Sequence, residues 1–65
     1  MSRALVRRLQ RALRAKGFSP GGVDGRMGPR TLRALNLYEQ AKALASSEPG
    51  VLPYATLESL GVPRP

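Results

Sequence analysis

Apolar residues recur with the period of an amphipathic helix along the first quarter of the chain. Between Arg3 and Lys16 they fall within about 120° of a helical wheel, at Leu5, Val6, Leu9, Ala12 and Leu13. Ser2 suits the N-cap position, and Gly17 suits the left-handed position that follows a last helical turn. The pattern predicts a first helix over residues 3–16 that packs this apolar arc on a core.

A second helical period follows a glycine-rich loop at residues 17–28. The loop contains five glycines and one proline, and its apolar members Phe18 and Val23 are predicted to fold back and seal the core. Pro29 occupies the position that proline prefers at a helix start, which predicts a second helix to about Ala45. Its predicted buried arc comprises Thr31, Ala34, Leu35, Tyr38, Ala41 and Ala45.

A third, short helix is predicted from near Pro53 to Leu60, with Gly61 as its left-handed stop. Residues 62–65 hold two prolines and are predicted to be a tail. No segment alternates apolar and polar residues for long enough to predict a strand. The predicted fold class is therefore all-α, a compact three-helix bundle that forms a single domain over residues 1–65.

Residues 24–35 and 49–60 align without gaps as an internal repeat. The identical pairs are Gly25/Gly50, Thr31/Thr56, Leu32/Leu57 and Leu35/Leu60. Each copy has a glycine turn, a large apolar residue, a proline near the helix start and then Thr-Leu-x-x-Leu. We therefore predict one loop-to-helix entry built twice, with Met27 and Leu52 in the core. Thr31 and Thr56 are predicted to bond back to the first-turn backbone.

Positive charge is concentrated in the first half of the chain. Of the net charge of +7, residues 1–33 contribute +8 (nine cations, one acid) and residues 34–65 contribute −1 (two cations, three acids). Four arginines cluster within about 80° of the wheel opposite the apolar arc, at Arg3, Arg7, Arg11 and Arg14. They form either a solvated face or a binding stripe for an anionic partner. A helix-turn-helix needs a turn of about 3–4 residues, so the long loop leaves only weak, non-specific nucleic-acid binding open.

The composition removes several kinds of chemistry. Cysteine and histidine are absent, which excludes disulfides, His/Cys metal sites and the usual nucleophile–base pairs. We therefore expect no catalysis, no cofactor and no metal. Asp24 precedes a glycine and is expected to cap its own backbone, and Glu39, Glu48 and Glu58 are expected to be exposed. Among the aromatic residues, Phe18 and Tyr38 have core spacing, whereas Tyr54 is the candidate for exposure.

No apolar run exceeds three residues, so no membrane span is predicted, and residues 1–8 lack a secretory apolar segment. We therefore expect a protein that is made in the cytoplasm and lacks a signal peptide.

The ordered motifs resemble the peptidoglycan-binding domain family, a small three-helix module of bacterial and phage cell-wall hydrolases. Residues 6–13 resemble its opening helix with Leu-Gln-x-x-Leu, and residues 16–31 resemble its Val-Asp-Gly-x-φ-Gly-x-x-Thr loop. Tyr38-Glu39 stands where the family usually has Phe-Gln, and residues 48–60 resemble the second, looser loop, with Glu-Pro-Gly in place of Asp-Gly. The resemblance covers residues 6–62. It implies a non-catalytic module that binds peptidoglycan, or another anionic cell-wall polymer, and targets or anchors a partner enzyme or particle.

The resemblance also directs attention to carboxylates, because peptidoglycan stem peptides carry them. Arg26 and Arg30 flank the first loop and the start of the second helix, where anions are favoured. Our hypothesis is that Arg26, Arg30 and Tyr54 surround a groove between the Asp24 loop and the third helix. The alternative is a structural component of a phage or phage-like virion that docks on another protein, so the place of action is either the cell wall or a virion.

Overall fold

The computed structural model describes residues 2–45 and 54–63, and these residues contain three helices. They are α1 (Arg3–Ala15), α2 (Pro29–Ala41) and α3 (Tyr54–Leu60), and these two ranges contain no strand. Helix α1 contacts both other helices. The predicted all-α three-helix fold is confirmed.

The predicted starts of the first two helices are also confirmed. The Ser2 hydroxyl accepts a hydrogen bond from the Leu5 amide at 3.2 Å, so it caps α1. Pro29 is the first residue of α2, after an extended Gly28 at the N-cap. The core that these helices enclose consists of Leu5, Leu9, Leu13, Ala34, Leu35, Tyr38, Leu57, Leu60 and Val62.

Two aromatic residues join the elements in this core. Phe18 meets the Tyr38 ring edge-on, with ring centroids 5.4 Å apart and an interplanar angle of 87°. The buried Tyr38 also shares a hydrogen bond of 2.6 Å with the Ser59 hydroxyl, which ties α2 to α3. The predicted core positions of Phe18 and Tyr38 are confirmed. Val23 is half-buried and does not belong to the core cluster. Of the two loop residues predicted to pack on the core, only Phe18 does so.

All three helices end in a Schellman motif, in which a left-handed residue reverses the chain. The left-handed residues are Gly17, Ala43 and Gly61. The next residue in each case donates its amide to a carbonyl five positions back, at 2.8, 2.7 and 2.9 Å, in the pairs Phe18–Leu13, Leu44–Glu39 and Val62–Leu57. Phe18, Leu44 and Val62 also pack on or in the core. Each helix stop therefore adds an apolar side chain to the interior.

These motifs correct two predicted boundaries. Helix α2 ends at Ala41 rather than Ala45, because Ala43 takes a φ of 56° and turns Leu44 towards the core. Ala41 and Ala45, predicted to be buried, are consequently exposed. The tail predicted from residue 62 begins later, since Val62 is only 6% exposed.

The internal repeat can be followed in its first copy. Met27 is partly buried and packs against the core, as predicted. Its counterpart Leu52, like Glu48 and the predicted helix start at Pro53, lies outside the described residues.

Candidate functional site

Gln10 of α1 organises the loop that precedes α2. Its side chain is fully buried. The Gly25 amide donates to its Oε1 at 3.0 Å. The two N–H groups of its Nε2 are shared among three acceptors: Asp24 Oδ1 at 3.1 Å, the Arg26 carbonyl at 2.9 Å and Thr31 Oγ1 at 3.0 Å. One amide side chain thus fixes three consecutive loop residues against the start of α2.

The two threonines of the repeat bond differently from the prediction. Thr31 donates its hydroxyl to the Pro20 carbonyl at 3.2 Å, across the loop, while accepting from Gln10. Thr56 donates to Oε2 of Glu39 at 2.6 Å. Because both hydroxyls have long-range partners that connect a helix start to other elements, the predicted bonds back to the first-turn backbone are wrong.

Glu39 occupies in α2 a place equivalent to that of Gln10 in α1: a buried side chain that bonds the threonine at the start of the next helix. Its side chain is completely buried, so the expectation that it is exposed is wrong. A glutamate is usually exposed, so the residue type gives the wrong prediction at this position. The sequence features that could have indicated burial were its place directly after the core residue Tyr38 and the threonine repeated at position 56.

Asp24 caps the turn, as predicted. Its Oδ1 accepts the Arg26 amide at 2.9 Å. This bond, followed by the one from Gln10, lowers the pKa of the Asp24 carboxyl below its ordinary value. The carboxylate accepts both of these hydrogen bonds from groups of the fold itself, which agrees with a structural role.

Gly25 lets the loop lie directly on α1. It has a φ of 79°, and a Cβ placed there would lie 2.9 Å from Arg3 Cγ and 3.2 Å from the Arg3 carbonyl oxygen. Neither the backbone conformation nor the space admits a side chain. The Asp24–Arg26 segment is therefore held both by hydrogen bonds and by close packing.

An open depression of about 440 Å³ lies between this loop and the start of α2. It is lined by Pro20, Gly22, Asp24, Arg26, Gly28, Pro29, Arg30 and Thr31. The N-cap Gly28 offers no side chain to the first-turn amides, and the first turn contains no acid. Helix amides and two guanidinium groups make this depression suited to an anion, and the Asp24 carboxylate at its edge would direct that anion towards the arginines.

The three residues of the predicted site do not all meet there. Arg26 and Arg30 line the same depression. Tyr54, at the start of α3, is 45% exposed and is not among the lining residues. The depression is formed by the loop and α2, whereas the groove had been predicted between the loop and the third helix. The binding role of Arg26, Arg30 and Tyr54 stays a prediction.

A second depression, of about 460 Å³, adjoins the first across Arg30. Its lining includes Arg33 and Leu37, and Leu37 is 47% exposed. Sequence reasoning missed these two residues. The available signal was that Leu37 falls outside the buried arc of α2 and stands one helical turn after an arginine.

Among the described residues no helix has the length and apolar character to cross a bilayer. No curated protein and no solved structure matches the chain. The family model of the peptidoglycan binding domain matches residues 2–60, which includes α1, the Gln10-held loop, α2 and α3.

Proposed function

Since the chain belongs to the peptidoglycan-binding domain family, we propose that it is a non-catalytic module that retains a partner enzyme or particle at the cell wall. Attachment of this kind raises the local concentration of the partner at its target without breaking a bond. The sequence contains neither the cysteine nor the histidine of the usual nucleophile–base pairs, which agrees with a binding role.

The observation that carries the proposed binding site is the meeting of Arg26 and Arg30 at the uncapped start of α2. A guanidinium group forms paired hydrogen bonds with a carboxylate, and stem peptides present carboxylates along the wall. The loop is fixed by Gln10 before any ligand arrives, so little ordering is required on binding. Exposed Leu37, on the other side of Arg30, offers contact to an aliphatic part of the same peptide.

The test is sedimentation with purified peptidoglycan sacculi. The double variant Arg26→Gln/Arg30→Gln is expected to weaken binding by about 100-fold or more, because each of the two charge-assisted bonds contributes about 1.5–3 kcal/mol. The matched control Arg8→Gln/Lys42→Gln removes the same charge from exposed positions elsewhere and is expected to bind like the parent protein. If the two double variants bind equally well while both retain the helical circular dichroism of the parent, the site is wrong.

Tyr54 is tested in a separate arm. It is predicted to stack on a sugar ring, so Tyr54→Ala should weaken binding to intact glycan strands but not to a free stem peptide. Unchanged binding to both ligands would remove Tyr54 from the site. The alternative role as a docking component of a virion rests on the sequence alone, and finding the chain in purified particles is the observation that would support it.

A further inference from the structure

The exposed side of α1 forms a second basic surface, which we call the arginine face: Arg3, Arg7, Arg11 and Arg14. All four residues are exposed. With a helical rise of about 1.5 Å per residue, their positions follow one another at roughly 6, 6 and 4.5 Å along the axis and span about 16 Å. The face therefore presents a row of cations at nearly regular intervals.

This row is unfavourable for the isolated helix. Arg3, Arg7 and Arg11 stand four residues apart, and like charges at that spacing destabilise a helix. A face that served only solvation would be better built from alternating acids and bases, yet α1 contains no acidic residue. The repulsion is relieved when an extended anion lies along the row.

The face offers charge without the groups that read nucleobases. Its exposed neighbours on α1 are Ala4, Arg8 and Ala15. The one amide side chain of the helix, Gln10, is buried and bonded to the Asp24 loop. There is no aromatic residue in α1 on which a base could stack. The ligand is accordingly selected by the spacing of its charges.

We propose that the arginine face binds a linear phosphodiester polymer of the cell envelope, with one phosphate per short repeat. Guanidinium groups match phosphate oxygens, and a flexible chain can adjust its repeat to the spacing of the row. The choice of an envelope polymer rests on the membership of the peptidoglycan-binding family. None of its four arginines lines the depression at Arg26 and Arg30, although Arg3 packs on Gly25 of the adjoining loop. The part of the face formed by the other three arginines can therefore be tested separately from the depression.

The experiment measures binding of the whole chain to poly(glycerol phosphate) as a function of salt. Four phosphate contacts predict a slope of about −2.8 for log affinity against log salt, which is about a 50-fold loss between 50 and 200 mM salt. The variant Arg7→Gln/Arg11→Gln/Arg14→Gln should retain only about a 3-fold loss over the same range. Arg3 is left in place because it packs on Gly25.

The matched control is Arg8→Gln/Lys16→Gln/Lys42→Gln, which removes the same net charge from exposed positions outside the face and outside both depressions. Retention of the parental slope by this control supports the proposal, whereas an equal decrease in both triple variants overturns it. Tighter binding of an oligothymidylate than of poly(glycerol phosphate) assigns the face to nucleic acid and also overturns it. In sacculi stripped of phosphodiester polymer, the Arg7→Gln/Arg11→Gln/Arg14→Gln variant should bind like the parent. Loss of binding in that arm would show that the arginine face contributes to peptidoglycan binding, and it would overturn the proposal.

Discussion

Replacing Gln10 by glutamate tests whether one buried amide holds the candidate site together. The change keeps the size of the side chain and the acceptor for the Gly25 amide. It removes the donor that Asp24, Arg26 and Thr31 share. It also brings a second carboxylate against that of Asp24, so both charge and hydrogen bonding oppose the native loop.

The magnitude follows from two of these contacts, the part-buried bond to the Arg26 carbonyl and the buried bond to Thr31. The Arg26 carbonyl and the Thr31 hydroxyl lose the hydrogen bonds that Gln10 donates at 2.9 and 3.0 Å. An unsatisfied buried polar group costs about 1–3 kcal/mol, so Gln10→Glu should lower the free energy of unfolding by roughly 3 kcal/mol at neutral pH. For a domain of this length the total is only about 3–10 kcal/mol. At the lower end of that range the variant should therefore have a substantial unfolded population, and at the upper end it should remain mostly folded.

Urea denaturation followed by far-ultraviolet circular dichroism measures this loss. Burial and the Asp24 charge raise the pKa of the introduced carboxyl above its unfolded value, so the folded state of the variant recovers stability as pH falls. The difference between parent and variant should therefore narrow between neutral pH and about pH 4. Gln40→Glu, the same change at an exposed position of α2, is the control and should cost less than about 0.5 kcal/mol. A Gln10→Glu loss below about 1 kcal/mol, or one independent of pH, would refute the assignment.

Three further predictions concern the backbone and the turn. Ala43→Gly should raise the free energy of unfolding by about 1 kcal/mol, because it removes a left-handed alanine at a φ of 56°; an unchanged urea midpoint would contradict this. Gly25→Ala should cost about 2 kcal/mol or more in the same assay because its Cβ meets Arg3, whereas Gly22→Ala, where the space is open, should be nearly neutral. The pKa of Asp24 is lowered in the folded state. The stability that its carboxylate contributes is therefore present when the pH is above the ordinary pKa of an aspartate, and it is lost as the pH falls through and below about 4. Asp24→Asn should therefore flatten the acid side of the stability profile, and an unchanged profile would count against the cap.

Much of the fold follows from local signals in the sequence. The apolar arc of α1, Pro29 and the glycines at 17 and 61 define where helices begin and end, because each acts through nearby backbone geometry. The end of α2 could not be predicted in this way. Its stop is an alanine, and only the burial of Leu44 explains why that residue accepts a left-handed conformation.

The candidate site was less accessible to sequence reasoning. Arg26 and Arg30 were found because both lie near one helix start. Tyr54 was placed with them on the assumption that the third helix closes the same groove, and helix packing is a long-range property. Gln10 and Glu39 were missed as bonded core residues because polar side chains are buried only when distant partners satisfy them.

The residue that follows each helix end packs on the core, so the length of each helix is constrained by core packing. Phe18, Leu44 and Val62 each emerge from a chain reversal directly onto the core. Inserting a single residue into α1 would rotate Phe18 by about 100° around the helix axis and withdraw it from Tyr38. Among the described residues, the exposed turn around Gly22 is accordingly a place where an added residue should disturb neither a helix end nor the packed aromatic pair.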